Sequence, residues 1–214
     1  YNFGETLRLT YNEVVTLELL GGYDANGNRN AENNVTAFTG NKEHQIFNFA
    51  SEMQCKFDGI NFVNGYAEKG GAIVASLGSY SFTDCNFSEN ESVAGGGAIL
   101  FSAGGSAIFE NCEFNNNECT PLSPDLDDKA LGGTIYCNSN TTDLVLTFKG
   151  CVASDNTAYR GGFICSYGAK INIINSTLTG NESRRGGGVF YLSSAADLTV
   201  ENCVFTENKA LYGA

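Results

Sequence analysis

Apolar residues in this chain recur in short alternating runs, and no stretch shows the three-and-four spacing of an amphipathic helix. Six segments carry the alternation in aligned form: CKFDGINFVNG (55–65), YSFTDCNFSEN (80–90), AIFENCEFNNN (107–117), LTFKGCVASDN (146–156), INIINSTLTGN (171–181) and LTVENCVFTEN (198–208). One apolar column reads Phe57, Phe82, Phe109, Phe148, Ile173, Val200. Three residues later comes Ile60, Cys85, Cys112, Cys151, Ser176, Cys203, and two further on Phe62, Phe87, Phe114, Ala153, Leu178, Phe205. A spacing of two is strand chemistry. The odd step of three needs a bend. The residue at that bend is Gly59, Asp84, Asn111, Gly150, Asn175 or Asn202, the types that accept positive φ.

Five segments continue into a glycine pair, at 70–71, 96–97, 132–133, 161–162 and 187–188. Measured on the Phe62 column, the periods are 25, 27, 39, 25 and 27 residues. The long one contains the insertion CTPLSPDLDDKA (119–130), which holds both prolines. A period near 26 with three short strands and no helix predicts an all-β, parallel β-helix. Helical repeats, TIM barrels and Rossmann sheets all need helices and are excluded. The expected organisation is a single domain over 1–214: entry coils in 1–50, six aligned repeats over 55–214 and the insertion loop at 119–130. The segments VVTLELL (14–20), VTAF (35–38) and QIFNF (45–49) supply one or two entry coils. At the final turn stand Gly65, Asn90, Asn117, Asn156, Asn181 and Asn208, a column expected to form an amide ladder.

Charge narrows the function classes. The net charge is −12, which repels a phosphate backbone and argues against nucleic acid as a partner. No apolar run approaches the ~20 residues that a transmembrane helix needs. The chain reads as a mature or excised segment of something longer.

The strings FSEN (87–90) with GGAI (96–99), FNNN (114–117) with GGTI (132–135), and FTEN (205–208) resemble the FxxN and GGA[ILV] repeats of chlamydial polymorphic outer-membrane proteins. They also resemble the wider class of right-handed parallel β-helix, adhesin-like surface proteins, over about residues 15–214. The repeat is degenerate where Ala153 and Leu178 replace Phe, and where Gly65 replaces Asn. The resemblance implies a secreted or surface-displayed structural or adhesive rod, extracellular, and often one piece of a longer chain or filament. Its partners would be glycans or cell-surface proteins. Further coils of the same chain, or a second copy, are expected to cover the helix ends, where a cut coil bares unpaired backbone.

Candidate chemistry is sparse. A polysaccharide-cleaving β-helix needs a paired-carboxylate coil or a calcium site with a nearby base, and the single histidine, His44, has no such company. The chain is therefore expected not to be an enzyme; a carbohydrate-binding or polysaccharide-degrading protein is the alternative, favoured by Tyr136, Tyr167 and Tyr191 after the glycine pairs. No cofactor is expected, although Asp125, Asp127 and Asp128 form a weak calcium candidate; Arg184 and Arg185 lie on another loop. Eight cysteines suit an oxidising compartment. Cys85, Cys112 and Cys151 share one column at disulfide range or as stacked thiols, and Cys119 can tie the insertion to Cys137. Of the N-x-S/T sequons, Asn34, Asn86 and Asn140 are the best glycan acceptors, whereas Asn90 and Asn181 belong to the ladder. An ice-binding face would need a regular Thr array, and none appears.

Overall fold

A computed structural model describes residues 5–9, 14–31, 33–123, 128–138, 143–193 and 196–213. Each coil contributes to parallel ladders that run the length of the solenoid. The first ladder is Val15–Leu20, Met53–Asp58, Gly78–Thr83, Gly105–Glu110, Leu144–Lys149, Lys170–Ile174 and Asp197–Glu201. The second runs Thr36–Thr39, Ile60–Val63, Asn86–Ser88, Glu113–Asn115, Val152–Ser154, Thr177–Thr179 and Val204–Thr206. A third ladder is Tyr66–Ala67, Glu91–Ser92, Glu118–Cys119, Thr157–Arg160, Glu182–Gly186 and Lys209–Tyr212. The fourth, after the glycine pairs, is Leu7–Leu9, Phe47–Phe49, Ile73–Ala75, Ile99–Phe101, Ile135–Cys137, Ile164–Ser166 and Phe190–Leu192. Coils thus carry four strands where the alternation predicted three. The additional strand is only two residues long in three of its coils, too short for a period of two to show.

Bends between ladders are backbone columns. The first bend has φ between 49° and 66° at Gly59, Asp84, Asn111, Gly150, Asn175 and Asn202, as expected from their residue types. A second left-handed column follows at Asn64, Glu89, Asn116, Asp155, Gly180 and Glu207. Glu89 and Glu207 hide it from sequence, since glutamate is a poor choice for that conformation. The first glycine of each pair makes the third bend. At the second glycine, as at Gly97, a Cβ would come closer than 3.0 Å to the carbonyl of Gly133 in the next coil, so only hydrogen fits.

Inside, like stacks on like. Phe57, Phe82, Phe109 and Phe148 are buried, and the last three stack with centroids 4.8 Å apart at each step. Phe62, Phe87 and Phe114 form a parallel stack at 4.7 and 5.3 Å. Where that column drops to Ala153, the residue after the glycine pair grows: Ala72, Ala98 and Thr134 give way to Phe163. Its ring stands 5.3 Å from Phe114 and 5.6 Å from Phe148, filling the room a phenylalanine at 153 would take. The degenerate repeat is a volume exchange, and core density is kept.

The turn column is an amide ladder. Asn90 donates its backbone N–H to Asn117 Oδ1 at 3.1 Å, and its Nδ2 to the same oxygen at 3.0 Å and to the Phe62 carbonyl at 2.9 Å. Asn117, Asn156 and Asn181 repeat the pattern, all fully buried. Gly65 enters it with its backbone N–H alone, 2.8 Å from Asn90 Oδ1.

The expected disulfide is not formed: all eight cysteines are free. Cys85, Cys112 and Cys151 are buried, and the Cys112 and Cys151 thiols each reach a main-chain carbonyl, of Phe82 and Phe109, at 3.4 Å. Side chains in parallel register point the same way, so their Cβ atoms keep the strand spacing of ~4.8 Å, whereas a disulfide wants about 3.8 Å. Cys119 lies with Ala130 and Ala158, while Cys137 belongs to the main core, so that pair is not bridged either. Burial also pushes the Cys112 thiol up, away from the reactive thiolate.

Two outcomes test this packing. Denatured, non-reduced protein should give eight alkylated cysteines by mass spectrometry, and any disulfide-linked peptide would contradict the thiol columns. Phe163→Ala should cost roughly 3–5 kcal/mol and Ala153→Phe roughly 1–3 kcal/mol by overpacking. The double variant should be more stable than the sum of the two by upwards of about 1 kcal/mol. Additive losses in denaturant unfolding would refute the exchange.

Candidate binding surface

In the fourth ladder, from Phe47–Phe49 onward, the first and third residues of each strand face the core, so the middle ones face out. They are Asn48, Val74, Leu100, Tyr136, Cys165 and Tyr191, paired across coils. An apolar stripe on the outside of a sheet must be covered. The corner that precedes each glycine pair does this. Leu131 from that corner buries Leu100, Tyr136 and Cys165 in a second, smaller core, with Val74, Tyr167 and Tyr191 at its edge. The Tyr136 ring lies over Gly95, where a Cβ would come within 3.0 Å of it, and its hydroxyl donates to Asn138 Oδ1 at 2.9 Å. Tyr167 meets Tyr136 edge-on, centroids 6.1 Å apart.

Two arginines complete the corner. The Arg160 guanidinium sits 5.2 Å from the Tyr191 ring centre and 5.7 Å from that of Tyr159. Arg185, one coil on, lies 5.9 Å from the Tyr159 ring centre and donates Nη1–H to the Tyr159 hydroxyl at 3.0 Å. The run Arg185–Tyr159–Arg160–Tyr191 alternates cation and ring. Among the described residues, neither guanidinium forms an ion pair with a carboxylate. Burial raises the Cys165 and Tyr167 pKa values, and in both the nearby Arg160 charge opposes that rise. Chemically, the surface offers planar donors and apolar ring faces, the requirements for holding a partially polar ligand.

A family model described as the right-handed β-helix region matches residues 23–210. The chain belongs to the right-handed β-helix family. No curated protein and no solved structure matches it.

In this right-handed β-helix the remaining candidates are scattered. Asp125, Asp127 and Asn140 lie outside the described residues. Asp128 is exposed beside Lys129 and lines a cleft of about 310 Å3 with Glu68, Lys69, Leu131 and Tyr136. Among the described residues, no group of three or more His, Cys, Asp or Glu is assembled for a metal. The Asn34 Nδ2 donates to the Gly22 carbonyl at 3.3 Å. Asn86 is only partly exposed: it lines an open cleft of about 400 Å3 with Asp84, Asn61 and Glu113, and its Oδ1 is buried without a partner. Asn90 and Asn181 are fully buried in the ladder.

The sequence grouped Tyr136, Tyr167 and Tyr191 and singled out Arg184 and Arg185, but did not join the two sets, and Tyr159 and Arg160 were passed over. The signal was there in position. Tyr159-Arg160 immediately precedes one glycine pair and Arg184-Arg185 lies one residue before the next, so stacking makes them neighbours.

Cys165 reports on the cover. In native protein it should resist alkylation, and Leu131→Ala, which opens the cover without removing a charge, should speed its labelling by at least about tenfold, since a thiol reacts only when exposed and ionised. Equal rates in the two proteins would show that Leu131 does not shield it.

Proposed function

We propose that this β-helix is a surface-displayed, extracellular adhesive rod that binds partners without cleaving them. One observation carries the reading. The residue types that recur, Asn, Gly, Phe and Cys, are consumed in stacking, whereas the partly exposed tyrosines and arginines that do not recur gather at one corner of adjacent coils. A rigid shaft with one decorated edge is suited to display and attachment. Its fold alone assigns no activity, because β-helices serve both enzymes and scaffolds. The tyrosine faces favour saccharide among ligand classes, which keeps carbohydrate binding within the same reading.

Two measurements test it. Antibody to the chain should label intact, unpermeabilised cells of the source organism. On a glycan array the protein should bind a subset of saccharides and leave them uncut after long incubation. Shortened saccharide products would replace the adhesive reading with an enzymatic one, and purely intracellular labelling would remove the display.

A further inference from the structure

We infer that the corner built by Tyr159, Arg160, Tyr167, Arg185 and Tyr191 is a binding site for a short acidic saccharide, held through its carboxylate. This rests on the adhesive reading above and names the ligand class of that surface.

The argument starts from charge. The chain has twice as many acidic residues as basic ones, 24 against 12, so an arginine should readily find a carboxylate. Among the described residues Arg160 and Arg185 pair with no carboxylate and lie against tyrosine rings. A guanidinium on an aromatic face leaves edge donors over even where, as in Arg185, one Nη1–H goes to the Tyr159 hydroxyl, and the remaining donors can form the planar fork that matches a carboxylate. The cations are also fixed in place. Arg160 is partly buried between Tyr159 and Tyr191, and Arg185 is tied to the Tyr159 hydroxyl at 3.0 Å. Less side-chain freedom is then lost on binding.

The rings select what carries the acid. Tyr167 and Tyr191 are half-buried, so part of each ring remains accessible beside the guanidinium. A sugar has the matching pattern of C–H faces and hydroxyl edges, whereas a bare acidic peptide has no such face. Coils repeat at ~4.8 Å, close to the span of one pyranose, so successive sugars can meet successive coils.

Length is limited by the rest of the surface. Screening confines each charge to ~8 Å at physiological ionic strength. A mono- or trisaccharide therefore meets the charges of this corner, the two arginines among them, and not those of the remote faces. A long polyanion also meets the acidic faces of a chain of net charge −12 and is repelled.

Calorimetric titration of the full chain with matched pairs tests the inference: 3′-sialyllactose against lactose, and a uronate trisaccharide against its carboxyl-reduced form. A glutamate tripeptide serves as the acid without the ring. At least one acidic saccharide should bind about tenfold or more tightly than its neutral partner and than the tripeptide. Arg160→Gln and Arg185→Gln should each weaken it about fivefold or more. Arg160→Lys, which keeps the charge and loses the fork, should not restore it. Unfolding midpoints of the variants, compared with the parent, separate lost binding from lost fold. Equal binding of acid and neutral sugar, tripeptide binding as tight as the saccharide, or affinity unchanged in both arginine variants would each overturn the site. No binding of any acidic saccharide at millimolar concentration would overturn it too. Cell-surface labelling and array binding of neutral glycans would survive those results, so the adhesive reading fails or stands separately.

Discussion

Parallel in-register stacking is the constraint from which the rest of this structure follows. Each coil lies on the next with backbone hydrogen bonds between equivalent residues, such as Phe82, Phe109 and Phe148 in the first ladder. A position in the repeat is therefore a column, and a residue is acceptable only if it can sit above and below its own kind. Asparagine can, because its amide oxygen accepts from the preceding coil while its amide N–H groups donate to both neighbouring coils, and the buried backbone at the turn would otherwise be left unpaired. Phenylalanine can, because rings tolerate offset stacking. Free thiols can, because each finds a carbonyl instead of a partner sulfur. Disulfides cannot form within a column for the same geometric reason.

The constraint is strict along columns for backbone and polar groups but loose for volume. A missing hydrogen bond cannot be supplied from elsewhere in the coil, whereas missing volume can. Ala153 and Phe163 belong to different columns of one coil, and the ring lost from the second ladder returns from the segment before the fourth. Dispersion and apolar burial are non-directional, so the core is conserved as a filled cross-section and not as a set of positions. This is why a repeat can degenerate in its apolar letters while its Asn and Gly, Gly65 at the first ladder position apart, stay in place.

Periodicity made the interior legible. The first left-handed column, the phenylalanine stacks and the amide ladder are all readable, since each is enforced at every coil and so repeats in the sequence. The third ladder was not legible, because strands such as Glu91–Ser92 are too short to alternate. Glu89 and Glu207 concealed the second left-handed bend, where stacking overrides residue preference. The surface cluster was the hardest to see. Tyr159, Arg160, Arg185 and Tyr191 meet through neighbouring coils, and they are adjacent in space only once the period is known to about one residue.

That cluster lies where the constraint relaxes. Register in the third ladder shifts between Ala158 and Arg160, and again between Ser183 and Gly186, so the residues just before the glycine pair are no longer held in column. The insertion at 119–130 enters at the same corner, between Glu118–Cys119 and the glycine pair at 132–133. A segment that tolerates a register shift and a dozen extra residues can also tolerate any side chain, and the sequences there share no pattern: Glu68-Lys69, Val93-Ala94-Gly95, Tyr159-Arg160, Arg184-Arg185. Yet the outer stripe it covers, from Val74 to Tyr191, still demands apolar contact. The corner is thus held down by the sheet beneath it and free in what it shows to solvent. Those are the conditions under which a repeat protein can acquire a specific surface without disturbing its fold.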